Sequence, residues 1–201
     1  VFISIDPTLI AGIDYGSKLA GTTSICFETS PGVLSFRSSR KGEDADMVIA
    51  DFCQKGHPSA VFIDAPLSLP GVYRHLSGCS DYFYRACDRE AGAMSPMFLG
   101  GLTARAIKLA SSLSAEGILV TETYPGKVAE LLQLNKAEYK RGAEFIIPCT
   151  RVVMELVGRQ VTVMPASWHE FDSLLAYVSA WRYGKGLHEV FGEPSEGLII
   201  V

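Results

Sequence analysis

The hydrophobic positions of this chain fall into two rhythms. One is the short unbroken run, seen at Ile10, Ala11 and Ile13, again over residues 60–63, and again over residues 118–120. Runs of this length predict strands covered on both faces. Residues 10–23 read as one such strand, a tight turn at Gly16 and Ser17, and the start of a second strand. The β-rich stretches 21–29 and 33–39 flank Ser30, Pro31 and Gly32, so they predict a hairpin. Three antiparallel strands therefore open the chain.

The other rhythm is helical. Ala45, Val48, Ile49 and Phe52 stand at i, i+3, i+4 and i+7 within residues 43–55, with acids at the start and Gly56 just past the end. A second helix is expected over about 102–113, stopped by Gly117. Pro125 begins a third, with Val128, Leu131 and Leu132 on its apolar face. Pro148 falls in the first turn of a fourth, with Val152, Val153, Leu156 and Val157 expected to face inward. The polar residues 135–144 join these two. The last helix is marked by Ser167 and Glu170, which form a capping box, and by a buried stripe of Phe171, Leu174, Leu175, Val178 and Trp181. Residues 67–101 have no clear period and predict a long loop or helical insertion over the strand ends. Residues 192–197 read as a turn before a terminal apolar segment, 198–201. This order predicts one α/β domain over 1–201, a mixed sheet with helices on both faces.

The chemistry follows from where the strands end. Asp14, Asp64 and Glu122 each sit at the close of a buried-type run, where a carboxylate costs several kcal/mol unless a cation or donors compensate it. If the first, fourth and fifth strands are parallel neighbours, these acids gather at one edge. Asp172 lies past the first turn of its helix, where helix-dipole preference no longer explains an acid, and small neighbours such as Ala176 and Ser179 let that helix approach a sheet. Converging carboxylates repel one another, and oxygen ligands select Mg²⁺ or Mn²⁺ as the compensating ion. Two such ions about 3.5 to 4 Å apart support phosphodiester hydrolysis. His169, three residues before Asp172, falls on nearly the same helical face, where it could relay a proton or a product phosphate or simply face solvent.

Arg74, Arg85, Arg89 and Arg105, interleaved with Tyr73, Tyr82, Phe83 and Tyr84, offer phosphate contacts and base stacking. Ser17 and Lys18 beside the Asp14 turn, and Lys127 after Pro125, are further phosphate candidates. His57, His75 and His188 show no partner spacing. A solvated insertion with a small aromatic core is the competing reading of the basic and aromatic stretch.

Composition narrows the picture. Of 201 residues, 48% are hydrophobic and 20% charged, enough for a proper core, and the formal net charge of −4 argues against broad electrostatic binding of long nucleic acid. Five scattered cysteines without a CxxC pair read as reduced, mostly buried thiols. No apolar run approaches the roughly 18 residues of a membrane span, and the first dozen residues lack a leader-like pattern. The expectation is a soluble, cytoplasmic protein without a membrane partner; a homo-oligomer is allowed.

Six motifs in order, AGIDYGS, FIDAPLSLP, YRACDREAG, ETYPGK, HEFDSLLAYVSAW and GEPSEGLIIV, span nearly the whole chain. Together they resemble the domain of unknown function 429 family, predicted nucleases with a ribonuclease H-like fold. The resemblance implies a five-stranded sheet, three antiparallel strands followed by two parallel ones. It implies that Asp14, Asp64 and Asp172 match the acidic positions of ribonuclease H-like and junction-resolvase-like nucleases, with Glu122 a fourth. The resulting expectation is a Mg²⁺- or Mn²⁺-dependent nuclease acting on DNA or RNA, with Asp14, Asp64, Glu122 and Asp172 as metal ligands, His169 assisting, and Ser17, Lys18, Arg85, Arg89 and Arg105 on the substrate. The competing expectations are an ATP-dependent phosphotransferase of actin-like type, which shares the Asp-x-Gly-Ser turn but needs two such domains, and a non-catalytic binding or scaffold protein.

Overall fold

The protein is described by a computed structural model over residues 9–201; the part of the leader reading that concerns residues 1–8 lies outside the described residues. Strands β1 (Ile10–Asp14), β2 (Ser24–Ser30) and β3 (Val33–Ser38) form an antiparallel meander. Helix α1 (Ala45–Gly56), capped by the Asp44 carboxylate accepting from the Asp46 N–H, returns the chain to β4 (Ala60–Asp64), which runs parallel to β1. A 3₁₀ turn (Gly71–Arg74) and two short helices, α2 (Ala86–Ala91) and α3 (Pro96–Leu99), lie in the aperiodic stretch before α4 (Gly101–Ala115) and β5 (Leu119–Glu122). Then come α5 (Pro125–Leu131), α6 (Ile146–Val157), β6 (Gln160–Val161), α7 (Trp168–Lys185), β7 (Val190–Glu193) and β8 (Gly197–Ile200).

The sheet is mixed and ordered β5-β4-β1-β2-β3-β6, with β7 and β8 paired as a separate antiparallel hairpin. The expected meander and two parallel strands are present. The count is six, not five, because β6 adds a parallel edge to β3. Two residues are too few to carry a periodic signal, so β6 has no signature in the sequence.

The unbroken apolar runs are explained by two cores. Successive side chains on a strand point to opposite faces. Ala11 and Ile13 of β1 with Val61 and Ile63 of β4 pack with Val48, Ile49 and Cys53 of α1 and Ala106, Leu109 and Leu113 of α4. Ile10, Ala60 and Phe62 belong to the opposite core, with Leu174, Tyr177 and Val178 of α7, Val128 of α5 and Val153 of α6.

Helix α7 carries more than an apolar stripe: every residue from Phe171 to Ala180 is buried. It reaches the sheet because β1 has a glycine at the crossing. A Cβ on Gly12 would lie 1.9 Å from the Tyr177 amide nitrogen and 2.4 Å from the Ser173 carbonyl oxygen. On α6 the expected face is shifted. Its buried residues are Ile146, Cys149, Thr150, Val153, Met154 and Val157, whereas Val152 and Leu156 are exposed, since one residue turns a helix by about 100° and carries them off that stripe. All five cysteines are free thiols, Cys79 half-buried and the others buried. No helix among the described residues is long and apolar enough to cross a membrane.

Candidate metal centre

Asp14 and Asp64 are paired in register at the C-terminal ends of β1 and β4. Strand alternation puts Asp14 on the face of Gly12 and Asp64 on the face of Phe62, the side covered by α7. Because Gly12 lets α7 settle onto β1, Asp172 in the second turn of that helix comes down beside them. One carboxylate oxygen from each of Asp14, Asp64 and Asp172 lies within 4.8 Å of the others. Asp14 and Asp172 are buried. Burial pushes Asp172 up to about 6, with Lys140 opposing and the Asp14 charge reinforcing the rise. Asp64 is raised well above the ordinary carboxylate range, first by burial and then by the charges of Asp14 and Asp172. Asp64 and Asp172 thus resist ionising in this cluster, the condition a divalent cation relieves.

Asp14 and Asp172 each have a polar neighbour. His169 places Nδ1 2.7 Å from Asp14 Oδ2, within hydrogen-bond distance. That hydrogen bond raises the half-exposed imidazole above its ordinary value, against the opposing effect of burial. Asp172 is held from the connector between α5 and α6. The Tyr139 hydroxyl donates to Oδ1 at 2.7 Å and the Lys140 ammonium lies 2.6 Å from Oδ2. Both residues escape sequence reasoning, which reads 135–144 as a polar link; the lone signal is an aromatic in an otherwise polar stretch.

Glu122 does not join the triad. The register pairs it with Ile63, one position short of Asp64, so alternation sends its side chain to the opposite face from Asp64. Its carboxylate is engaged by Arg85, whose Nη1 and Nη2 donate at 2.7 and 2.6 Å, and by the Leu67 N–H at 2.8 Å. Arg85, expected on the substrate, is fully buried. Its remaining donors go to Asp88, at 2.6 and 3.1 Å, and to the Ser68 hydroxyl at 2.9 Å. This network ties the loop after β4 to α2 and β5, and leaves Arg85 no donor for a phosphate. Gly197 at the start of β8 packs against it: a Cβ there would meet Ser68 Oγ at 2.2 Å, and its φ of +146° also favours glycine.

The other basic candidates have partners as well. Arg89 stacks 3.8 Å over the Tyr84 ring and pairs with Asp81. Arg105 pairs with Asp46, covers the Tyr15 ring and donates to the Gly16 carbonyl, so it braces the loop that leaves Asp14. Lys18 pairs with Asp44, Ser17 is exposed in the same loop, and Lys127 pairs with Glu130. The 67–101 aromatics pack on one another, Tyr73 with Tyr82 and both Phe83 and Tyr84 with Phe98. His57 and His75 are helix C-caps in the left-handed region, and His188 lies against Tyr183. A cleft of about 220 Å³ opens over Asp14 and Asp64, walled by Met94, Leu99 and Tyr124.

Comparison with solved structures finds similarity to the yeast mitochondrial Holliday junction resolvase Ydc2, with a TM-score of 0.49, 13% identity, and coverage of 91% of this chain and 82% of that one. No protein-family model and no curated protein sequence matches the chain.

Proposed function

We propose that this protein is a divalent-metal-dependent phosphodiesterase that hydrolyses a nucleic acid, a ribonuclease H-like nuclease of the kind the family resemblance implies. The observation that carries the reading is the convergence of Asp14, Asp64 and Asp172, with ligand oxygens within 4.8 Å of one another, beside a cleft that Asp14 and Asp64 line. Hard carboxylate oxygens with raised proton affinity fit Mg²⁺ or Mn²⁺ better than softer metals. Bound there, such ions supply water activation and stabilisation of the leaving oxygen.

The chain's own residues do the rest. Asp14 and Asp64 are fixed by two adjacent strands, and Asp172 by a helix buried over most of its length, so all three ligands stand on rigid elements. His169 holds Asp14 in one orientation through Nδ1, as a group behind a metal ligand does. Arg105 holds the Asp14 loop through the Gly16 carbonyl. Glu122 acts as a structural partner of Arg85. The phosphotransferase reading draws on the turn from Asp14 to Ser17 alone, whereas the metal-site reading draws on all three converging acids.

The test is cleavage of labelled single-stranded DNA, duplex DNA, an RNA–DNA hybrid and a four-way DNA junction in Mg²⁺ or Mn²⁺. Cleavage of at least one substrate by the wild type, abolished by a chelator and by Asp14→Asn, is the expected result. Cleavage that persists in Asp14→Asn or in chelator contradicts the proposal.

A further inference from the structure

The residues that hold Asp172 suggest what occupies the centre before a metal does. The connector between α5 and α6 folds back on itself at Asn135, whose carbonyl accepts from the Glu138 and Tyr139 N–H groups and whose side chain accepts from the Ala137 N–H. This turn presents Tyr139 edge-on to Trp168 at 5.5 Å and against Phe171 at 6.0 Å, both on α7. It then places Lys140 in the left-handed region, φ 59°, which costs a residue with a Cβ about 1–2 kcal/mol. The result is that both oxygens of Asp172 are taken from one segment, Oδ1 by the Tyr139 hydroxyl and Oδ2 by the Lys140 ammonium. Asp14 and Asp64 lie beside Asp172, so their charges also attract the ammonium.

An ammonium and a divalent cation repel each other and need the same negative charge. They are therefore alternatives at Asp172. The two groups on that carboxylate differ in how easily they leave. Tyr139 is packed between aromatic rings, whereas the Lys140 side chain is half exposed and hangs on four methylenes, so it can swing into water without disturbing the turn.

Resting on the metal-site reading above, we propose that Lys140 is a tethered competitor for the divalent cation: its ammonium holds Asp172 in the metal-free protein and is displaced when the cation binds. The lysine keeps the buried acids compensated without metal and weakens cation affinity in exchange, so that occupancy follows the free metal concentration.

Mn²⁺ itself is the probe, and the electron paramagnetic resonance signal of the free ion counts what is bound. Wild type, Lys140→Met, Lys140→Arg and Asp64→Asn are titrated at one pH and ionic strength. Lys140→Met is expected to bind Mn²⁺ about five-fold more tightly, the scale of a half-exposed ion pair removed from the competition. Lys140→Arg keeps the charge and is expected to bind like the wild type or more weakly. In chelator, Lys140→Met is expected to melt below the wild type, and to gain more than the wild type on adding Mn²⁺. Equal or weaker binding by Lys140→Met, with wild-type binding intact and abolished by Asp64→Asn, overturns this proposal alone. Equal tightening by Lys140→Arg overturns it too, since the cause is then a loosened connector and not the charge. Absence of binding by both the wild type and Lys140→Met overturns the metal-site reading and this proposal with it.

Discussion

Gly12 of β1 lies directly beneath the Tyr177 backbone of α7, so close that a Cβ on the glycine would stand 1.9 Å from the Tyr177 amide nitrogen. That contact sets the height of the helix above the sheet, and so places Asp172 beside Asp14 and Asp64. Backbone cannot give way as a side-chain tip can. Gly12→Ala is expected to destabilise the protein by about 3 kcal/mol or more, the upper range for overpacking, and to cost metal affinity by lifting Asp172 away. Urea unfolding, with and without Mn²⁺, checks this. A loss under about 0.5 kcal/mol, within the range of ordinary surface substitutions, would show that the helix has room to move.

The buried Arg85 network makes a different demand. Arg85→Met leaves Glu122 and Asp88 buried without their cation, and breaking such a pair costs about 3–5 kcal/mol. The double substitution Arg85→Met with Glu122→Gln is expected to recover part of the loss, because it removes one of the stranded charges. Denaturant midpoints of the single and double variants measure it. A double variant no more stable than Arg85→Met alone would mean that Glu122 is not charged against Arg85.

Acidity should help the metal-free protein. Asp172, pushed up to about 6, and Asp64, raised further, bind protons more tightly folded than unfolded, where a carboxylate titrates near about 4. Folding stability from these groups therefore rises as the pH falls toward about 5 and is lost as the pH rises through their folded values. His169 has the same sign: its raised value contributes stability that is full below the unfolded value of about 6.5 and lost as pH rises through the folded one. The depressed acids Asp46, Asp51, Asp81 and Glu130 act the opposite way only as pH falls below about 4.5, under this window; His188, lowered by burial, opposes within it, one group against the three above that favour the acid side. In chelator, the unfolding midpoint is expected to be higher near pH 5.5 than near pH 8. With saturating Mn²⁺ the difference should shrink or reverse, since protons and the metal compete for the same oxygens. A midpoint that falls steadily from pH 8 to 5.5 in chelator contradicts the picture.

Much of this arrangement is legible in the sequence, for identifiable reasons. Asp14 and Asp64 stand out because strands covered on both faces leave no reason for an acid at their ends, and Asp172 because neither capping nor helix dipole accounts for it. The antiparallel opening follows from the Pro-Gly turn at residues 31 and 32. Glu122 fails the same logic because its fate depends on register, and a one-residue offset between β4 and β5 sends it to the other face. Composition cannot show such an offset. Arg85 looks like a phosphate contact for want of any sign that Glu122 and Asp88 would enclose it. Tyr139 and Lys140 lie in a connector with no period, and their approach to Asp172 is purely tertiary. Val152 and Leu156 illustrate a smaller ambiguity, since α6 carries more apolar residues than one buried stripe can use.

The most direct test of the metal centre is thermal unfolding of the wild type and Asp64→Asn, each in chelator and in Mn²⁺. A cation present at about 100 times its Kd adds roughly 2.7 kcal/mol to the folded state, which for a chain of this size moves the midpoint by about 5–10 °C. The account expects that rise in the wild type and none in Asp64→Asn, which in chelator should melt higher than the wild type because one of three mutually repelling carboxylates is gone. An unmoved wild-type midpoint in Mn²⁺, or an equal rise in Asp64→Asn, would contradict it.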